Sequence, residues 1–412
     1  LPQVKVGEIK AWGTRDVLKL NLGGKTMEQP QPFSVSVDDA VLEDLKHRLA
    51  HARLPEAELV DDWSQGLPRA YLEALLAYWR TDYDWRRCEA LLNSWPQFMV
   101  PLDGPGGPLP VHFIHLRSPE PNARPLLLSH GWPGSILEFR HVLAPLTDPV
   151  AHGGRAEDAF HVVAPSLPGF AFSGKPTVPG WTVEAMAKAF DQLMTGLGYE
   201  RYFAQGGDWG SIITSALGEL APPGLAGIHV TMPIVTPDPE TAASPSAEEQ
   251  DALEGLAYYQ QWDSAYARIQ GTRPQTLAYG LADSPAGQAA WIIEKFWSWM
   301  DCNDDPESVL SKDELLDNVM LYWLNNAAGS SARIYWESFN RVSQGPLTLP
   351  SAISLYPKEI FRTSERWARQ RFTDLRRFNR TEKGGHFAAM ECPEHFVSEL
   401  RASFALMTLA EI

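Results

Sequence analysis

The chain has 412 residues, 44% hydrophobic and 21% charged, a globular composition that excludes disordered and fibrous classes. Its formal charge is 35 − 51 = −16, so phosphate backbones and anionic membrane surfaces would repel it, and nucleic acid is not an expected partner. Cys88, Cys302 and Cys392 form neither a disulfide framework nor a zinc pattern. No run of about 18 apolar residues and no signal-peptide core is present, so a cytoplasmic protein without membrane contact is expected.

In chain order, residues 1–29 read poorly as structure, apart from a short strand over Val17–Leu22. Gly23-Gly24-Lys25-Thr26 matches the end of a phosphate loop, but Lys19 stands where that loop needs its first glycine, so the match is rejected. Met27 reads as a natural start, which would make the preceding residues an added leader. From Pro32 to about Phe98 the pattern is helical, and a segment over 30–109 without strands is expected. Ser36-Val37-Asp38-Asp39 opens its first helix with cap-type residues; Tyr71, Leu75 and Tyr78 mark a second, and Trp85–Leu92 a third.

The pattern then changes. Val111–Leu116, Arg124–Ser129, Phe160–Ala164, Arg201–Gln205 and Gly227–Met232 read as strands, with helices over Val183–Leu197 and Ser211–Ala221. That alternation predicts an α/β core over 110–232 around a mostly parallel sheet. Residues 233–350 break it: they are helical, rich in Trp and Tyr, and read as a lid inserted over the sheet. The core resumes over 351–412 with strands at Ala352–Tyr356 and Asp374–Asn379 and a last helix at Pro393–Ala410. Fifteen tryptophans serve as core filler or as the wall of an apolar ligand tunnel.

Three segments carry chemistry. Gly206-Gly207-Asp208-Trp209-Gly210 lies between a strand and a helix and has the form of a nucleophile elbow, with small residues around a strained turn. The central residue is Asp; the bland alternative is a helix N-cap. Leu126-Leu127-Leu128 runs into Ser129-His130-Gly131-Trp132-Pro133-Gly134, similar to the α/β-hydrolase loop that supplies one oxyanion-hole N–H. The donors would be the backbone N–H groups of Trp132 and Trp209, and the bland alternative for the loop is a Pro/Gly turn. His130 itself reads as structural rather than as a base. Lys383-Gly384-Gly385-His386-Phe387 follows the last strand, where the hydrolase order places the histidine. The acid between Asp208 and His386 is read as Glu359, after a strand; Asp238 is the alternative.

Together these segments resemble an epoxide hydrolase of the microsomal type. Asp61-Asp62-Trp63, Tyr78-Trp79-Arg80, Tyr83-Asp84-Trp85-Arg86 and Pro96-Gln97-Phe98 are similar to that family's N-terminal segment. Pro165-Ser166-Leu167-Pro168-Gly169-Phe170, the lid stretch Asp317-Asn318-Val319-Met320-Leu321-Tyr322-Trp323, and Gly384-Gly385-His386-Phe387-Ala388-Ala389 extend the likeness along nearly the whole chain from Pro32. The resemblance implies an α/β-hydrolase fold with an eight-stranded sheet, two lid tyrosines placed by motif at Tyr266 and Tyr335, no cofactor, no metal and a homodimer. Tyr258, Tyr259 and Tyr322 are lesser candidates. It implies attack of Asp208 on an apolar epoxide, an alkyl ester on that side chain, and its hydrolysis by water activated by His386 and Glu359. His130, Gly131, Pro133, Phe170, Trp291 and Phe387 are expected to line the substrate pocket, and Trp291, Trp297, Trp299 and Tyr266 suggest a bulky apolar substrate. The nearest rival is a haloalkane dehalogenase with the same Asp, His and acid; a rival of another class is a binding module that keeps the fold without the chemistry.

Overall fold

A computed structural model describes residues 27–408. Its centre is one sheet of β1 (Gln31–Phe33), β2 (Gln97–Leu102), β3 (Leu109–Leu116), β4 (Arg124–Ser129), β5 (Phe160–Pro165), β6 (Tyr202–Gly206), β7 (Leu225–Val230), β8 (Ser351–Leu355) and β9 (Leu375–Arg380). The spatial order is β1-β2-β3-β5-β4-β6-β7-β8-β9. β1, β2, β3 and β5 pair antiparallel, and every pairing from β5 onward is parallel. β4, β6, β7 and β8 are buried almost throughout and short, as strands covered on both faces must be.

The sheet has nine strands where the family resemblance implies eight, and β1 and β2 lie in the segment expected to be strandless. Both misses have a physical reason. β1 is three residues long, too short to display a period, and it exists only because Pro32 pairs with Phe98 on β2. β2 contains Pro101, which argues against a strand in the interior of a sheet. The helices of that segment are Asp39–Ala50, Arg69–Thr81 and Trp85–Asn93, the first capped by Asp38 and the third by Asp84. The Val17–Leu22 strand and the Gly23–Thr26 turn lie outside the described residues, as do the last two residues of the expected Pro393–Ala410 helix.

Between β7 and β8 the chain leaves the sheet. Its larger helices are Ala247–Tyr258, Ala265–Thr272, Pro274–Asp283, Pro285–Trp299, Lys312–Leu324 and Ala328–Ser338. One turn of π-helix, Tyr259–Asp263, joins the first two. Helix Lys312–Leu324 carries the connection back to the core. Its Asn318 amide donates to the Pro133 carbonyl at 2.8 Å and the Tyr322 hydroxyl to the Gly134 carbonyl at 2.7 Å. Asp317 on the same helix is fully buried and accepts from Tyr83, Arg87 and Arg140 at 2.8, 2.7 and 2.9 Å. Three parts of the chain thus meet on one carboxylate. Among the described residues no helix is long and apolar enough to cross a membrane, and Cys88, Cys302 and Cys392 are unpaired and buried.

Candidate active site

β6 ends at Gly206, and helix Asp208–Leu220 begins two residues later. The turn between them is tight enough to force Asp208 to φ +48°, a region that side chains with a Cβ rarely occupy. Two positions from it on either side, Gly206 and Gly210 have no room for a side chain. A Cβ on Gly206 would stand 2.0 Å from the Gly210 carbonyl oxygen, and one on Gly210 would stand 1.9 Å from that of Ser129. The N-cap of the helix is Gly207, with no side-chain cap, so Asp208 is not spent on its own helix. Its carboxylate turns outward instead: Oδ1 accepts the Trp132 backbone N–H at 2.7 Å. Gly131 allows this approach, since a Cβ there would lie 1.9 Å from Oδ1.

The other Asp208 oxygen, Oδ2, lies 3.1 Å from His386 Nε2, and His386 Nδ1 lies 2.7 Å from Glu359 Oε1. Glu359 follows β8, is buried, and also accepts the Ile360 N–H at 2.8 Å. The expected nucleophile, base and acid therefore form one continuous chain of contacts. Asp238, the alternative acid, caps the short helix Pro239–Ala242 through Glu240 and Thr241 and does not reach His386. The histidine loop is fixed to the lid: the His386 N–H donates to the Trp299 carbonyl at 3.0 Å and the Gly384 N–H to Asp301 at 3.0 Å.

Burial alone would strip the His386 ring of its proton. The Glu359 carboxylate, with Asp208 bonded on the opposite side, outweighs that and holds its pKa well above the ordinary value. Burial raises the pKa values of Tyr266 and Tyr335 far above those of free phenols, and the nearby Asp208 charge adds to this. Both hydroxyls therefore remain protonated donors.

Asp208, Trp209, Tyr259, Tyr266 and Tyr335 line one cavity of about 220 Å³. Its other walls, including Ile212, Met232, Phe339 and Phe361, are apolar. Trp132 stacks on Tyr266 with ring centres 5.0 Å apart and meets Tyr335 edge-on at 5.8 Å, setting the two phenols at 80° to each other. Trp209 is the second residue of its helix, so its backbone N–H has no partner within that helix.

None of the six residues expected to line the pocket borders this cavity. His130 is a buried strut: its Nδ1 is 3.0 Å from the Gly131 carbonyl and its Nε2 accepts the Leu167 N–H. Gly131 serves Asp208 by lacking a side chain, and Pro133 offers its carbonyl to Asn318. Phe170 packs on His130, Phe387 stacks on Phe296 at 4.1 Å, and the Trp291 indole donates to Gln270. Trp297 stacks on Trp63, and Trp299 stands behind Tyr266. Trp291, Trp297 and Trp299 thus make packing contacts outside this cavity, whereas Trp209 is part of its wall. Sequence reasoning named Tyr259 only as a lesser candidate and missed Glu138, a buried carboxyl folded against Gly134 near Asp208 and His386. The signal for Glu138 was there: an acid inside the apolar run Ile136-Leu137-Glu138-Phe139.

A mostly parallel sheet with an acidic elbow after β6 and a histidine loop after β9 defines the α/β-hydrolase class, and the alpha/beta hydrolase fold model matches residues 124–277. The epoxide hydrolase N terminus model matches residues 30–139. A Stigmatella aurantiaca protein named "Putative epoxide hydrolase" is 54% identical over 374 residues, spanning 90% of this chain and 84% of that protein. Epoxide hydrolase 1 of Sus scrofa is 33% identical, with 92% of this chain and 89% of that protein covered. The structure of Aspergillus niger epoxide hydrolase superposes with a TM-score of 0.83 at 32% identity, covering 92% of this chain and 97% of that one. The chain belongs to the epoxide hydrolase family.

Proposed function

We propose that the protein hydrolyses a compact apolar epoxide to a vicinal diol through a covalent ester on Asp208. The observation that carries this is the placement of Asp208, held by the Trp132 N–H and His386, on the floor of the cavity that Tyr266 and Tyr335 also line. An Asp208 oxygen attacks a ring carbon from the side opposite the departing oxygen. The C–O bond breaks, and the ring oxygen leaves as an alkoxide, a poor leaving group unless it receives a hydrogen bond or a proton. The two phenols supply it from above. Tyr335 is suited to this, because among the described residues its buried hydroxyl has no hydrogen-bond partner.

Esterification of Asp208 removes the negative charge beside His386 Nε2. The ring then holds its proton less tightly and becomes a base, with Glu359 still fixing Nδ1. Water loses a proton to His386 and adds to the ester carbonyl, whose carbon is the Asp208 side-chain carbon. The backbone N–H groups of Trp132 and Trp209 hold the resulting oxyanion. Collapse releases the diol and leaves the water oxygen in the Asp208 carboxylate. The same Asp, His and acid would serve a haloalkane dehalogenase, but halide departure has no use for buried phenols that donate to oxygen.

His386→Gln keeps the ring-opening nucleophile and removes the base. With styrene oxide its intact mass should rise by one epoxide, and epoxide consumption should stop at one equivalent per enzyme with no diol released. Steady turnover at the wild-type rate in that variant would contradict the assignment.

A further inference from the structure

Tyr266 and Tyr335 face the same cavity but have different surroundings. The Tyr335 hydroxyl has no partner among the described residues, whereas the Tyr266 hydroxyl lies 3.1 Å from that of Tyr259. Tyr259 is 5% exposed and borders the cavity. It opens the π-helical turn Tyr259–Asp263, and the far end of that turn is pinned: Asp263 accepts from the Lys295 ammonium at 2.8 Å and from the Trp299 indole at 2.6 Å. The same ammonium lies 4.9 Å from the centre of the Tyr266 ring.

A phenol has one hydrogen to give. If Tyr266 points its hydrogen at the epoxide oxygen, the hydrogen between the two tyrosines must come from Tyr259. We propose that Tyr259 is a third member of the proton-donating apparatus, a positioning residue that donates to the Tyr266 oxygen and makes Tyr266, rather than Tyr335, the phenol that gives up its proton. This rests on the ester mechanism above. As the epoxide C–O bond breaks, the Tyr266 proton moves to the ring oxygen, and the phenolate left behind is held by the Tyr259 O–H. The Lys295 charge over the ring favours the same redistribution. The proton that His386 gives up once Asp208 is esterified restores Tyr266. His386 then takes a hydrogen from water and passes it to the second diol oxygen, and the Asp208 carboxylic acid left by ester hydrolysis returns its proton to His386, 3.1 Å away, so the balance closes.

The test is rapid-quench single turnover of styrene oxide, with the Asp208 ester followed by mass. Tyr259→Phe keeps the ring against Phe361, 5.0 Å away, and removes only the hydroxyl. Ester formation should slow about tenfold, while hydrolysis of the formed ester stays at the wild-type rate. The loss should persist in a Tyr335→Phe background and vanish in a Tyr266→Phe background, because there the donor has nothing to act on. Wild-type ester formation in Tyr259→Phe, an equal loss in the Tyr266→Phe background, or slowed ester hydrolysis would each overturn the proposal. Absence of any ester on Asp208 in the wild type would instead remove the mechanism beneath it.

Discussion

At φ +48°, Asp208 sits in a backbone conformation that its own side chain disfavours, and Gly206, Gly210 and Gly131 around it leave no room for a Cβ. Strain of this kind persists only where the surroundings enforce it, and here it aims the carboxylate at the cavity. In the proposed mechanism each phenol has a measurable share of the work. Tyr335→Phe should lower kcat/KM for styrene oxide by about 10²–10³, because Tyr266 still donates. Glu138 gives a different prediction. Burial, with the Asp208 charge adding to it, pushes its pKa up to about 8. Between the ordinary carboxyl range and that value the folded state holds a proton that the unfolded state has lost. Stability from this group is therefore full at low pH and falls as pH rises through about 8. Glu138→Gln should melt above the wild type at pH values beyond that point and show no such advantage in acid. A constant difference across the pH range would contradict this. Asp208, Glu359 and His386 were legible because elbow, strand end and glycine loop each leave a local mark in the sequence. The cavity walls were not, since an aromatic side chain that lines a pocket and one that fills a core look alike until the fold decides.

The π-helical turn Tyr259–Asp263 inserts one extra residue per turn between two lid helices, and such turns occur frequently at functional sites. No composition marks an i→i+5 hydrogen bond, so the sequence pattern reads only as helix. Its anchor is electrostatic. Lys295 is buried between Asp263 and Glu294, at 2.8 and 2.7 Å. Lys295→Met leaves two largely buried carboxylates without their cation and should destabilise the protein by about 3 kcal/mol or more in urea unfolding. It should also slow ring opening, because Tyr259 and Tyr266 lose their placement. The strands show the same limit from the other side. β4 to β8 are legible as short buried runs, while β1 and β2 depend on each other's register and on no period of their own.

Taken as a whole, the molecule has three parts that meet on a few buried polar groups. Asp317 takes Tyr83 and Arg87 from the N-terminal helices and their flank, and Arg140 from the loop after β4, while Asn318 and Tyr322 beside it hold the Pro133–Gly134 turn that carries the Trp132 N–H. Asp317→Ala strands Arg140, whose side chain is 6% exposed. Loss of about 3–5 kcal/mol of stability is expected in denaturant titration, together with reduced ester hydrolysis as the oxyanion donor loosens. A variant as stable as the wild type would show that the three parts hold together without it. The order of the parts along the chain was readable from the change of period near residues 110, 233 and 351; the carboxylate that joins them was not, since it lies within a lid helix and its cationic partners are 230 and 177 residues away.

The central claim is that carbon becomes bonded to Asp208 before water enters. One turnover of excess enzyme with styrene oxide in ¹⁸O-water, followed by mass analysis of the diol and of the peptide containing Asp208, reads this directly. The heavy oxygen should appear in the Asp208 peptide, and the first diol released should carry none. Label in the first diol, with an unlabelled peptide, would mean that water attacks the epoxide itself and that Asp208 is never esterified.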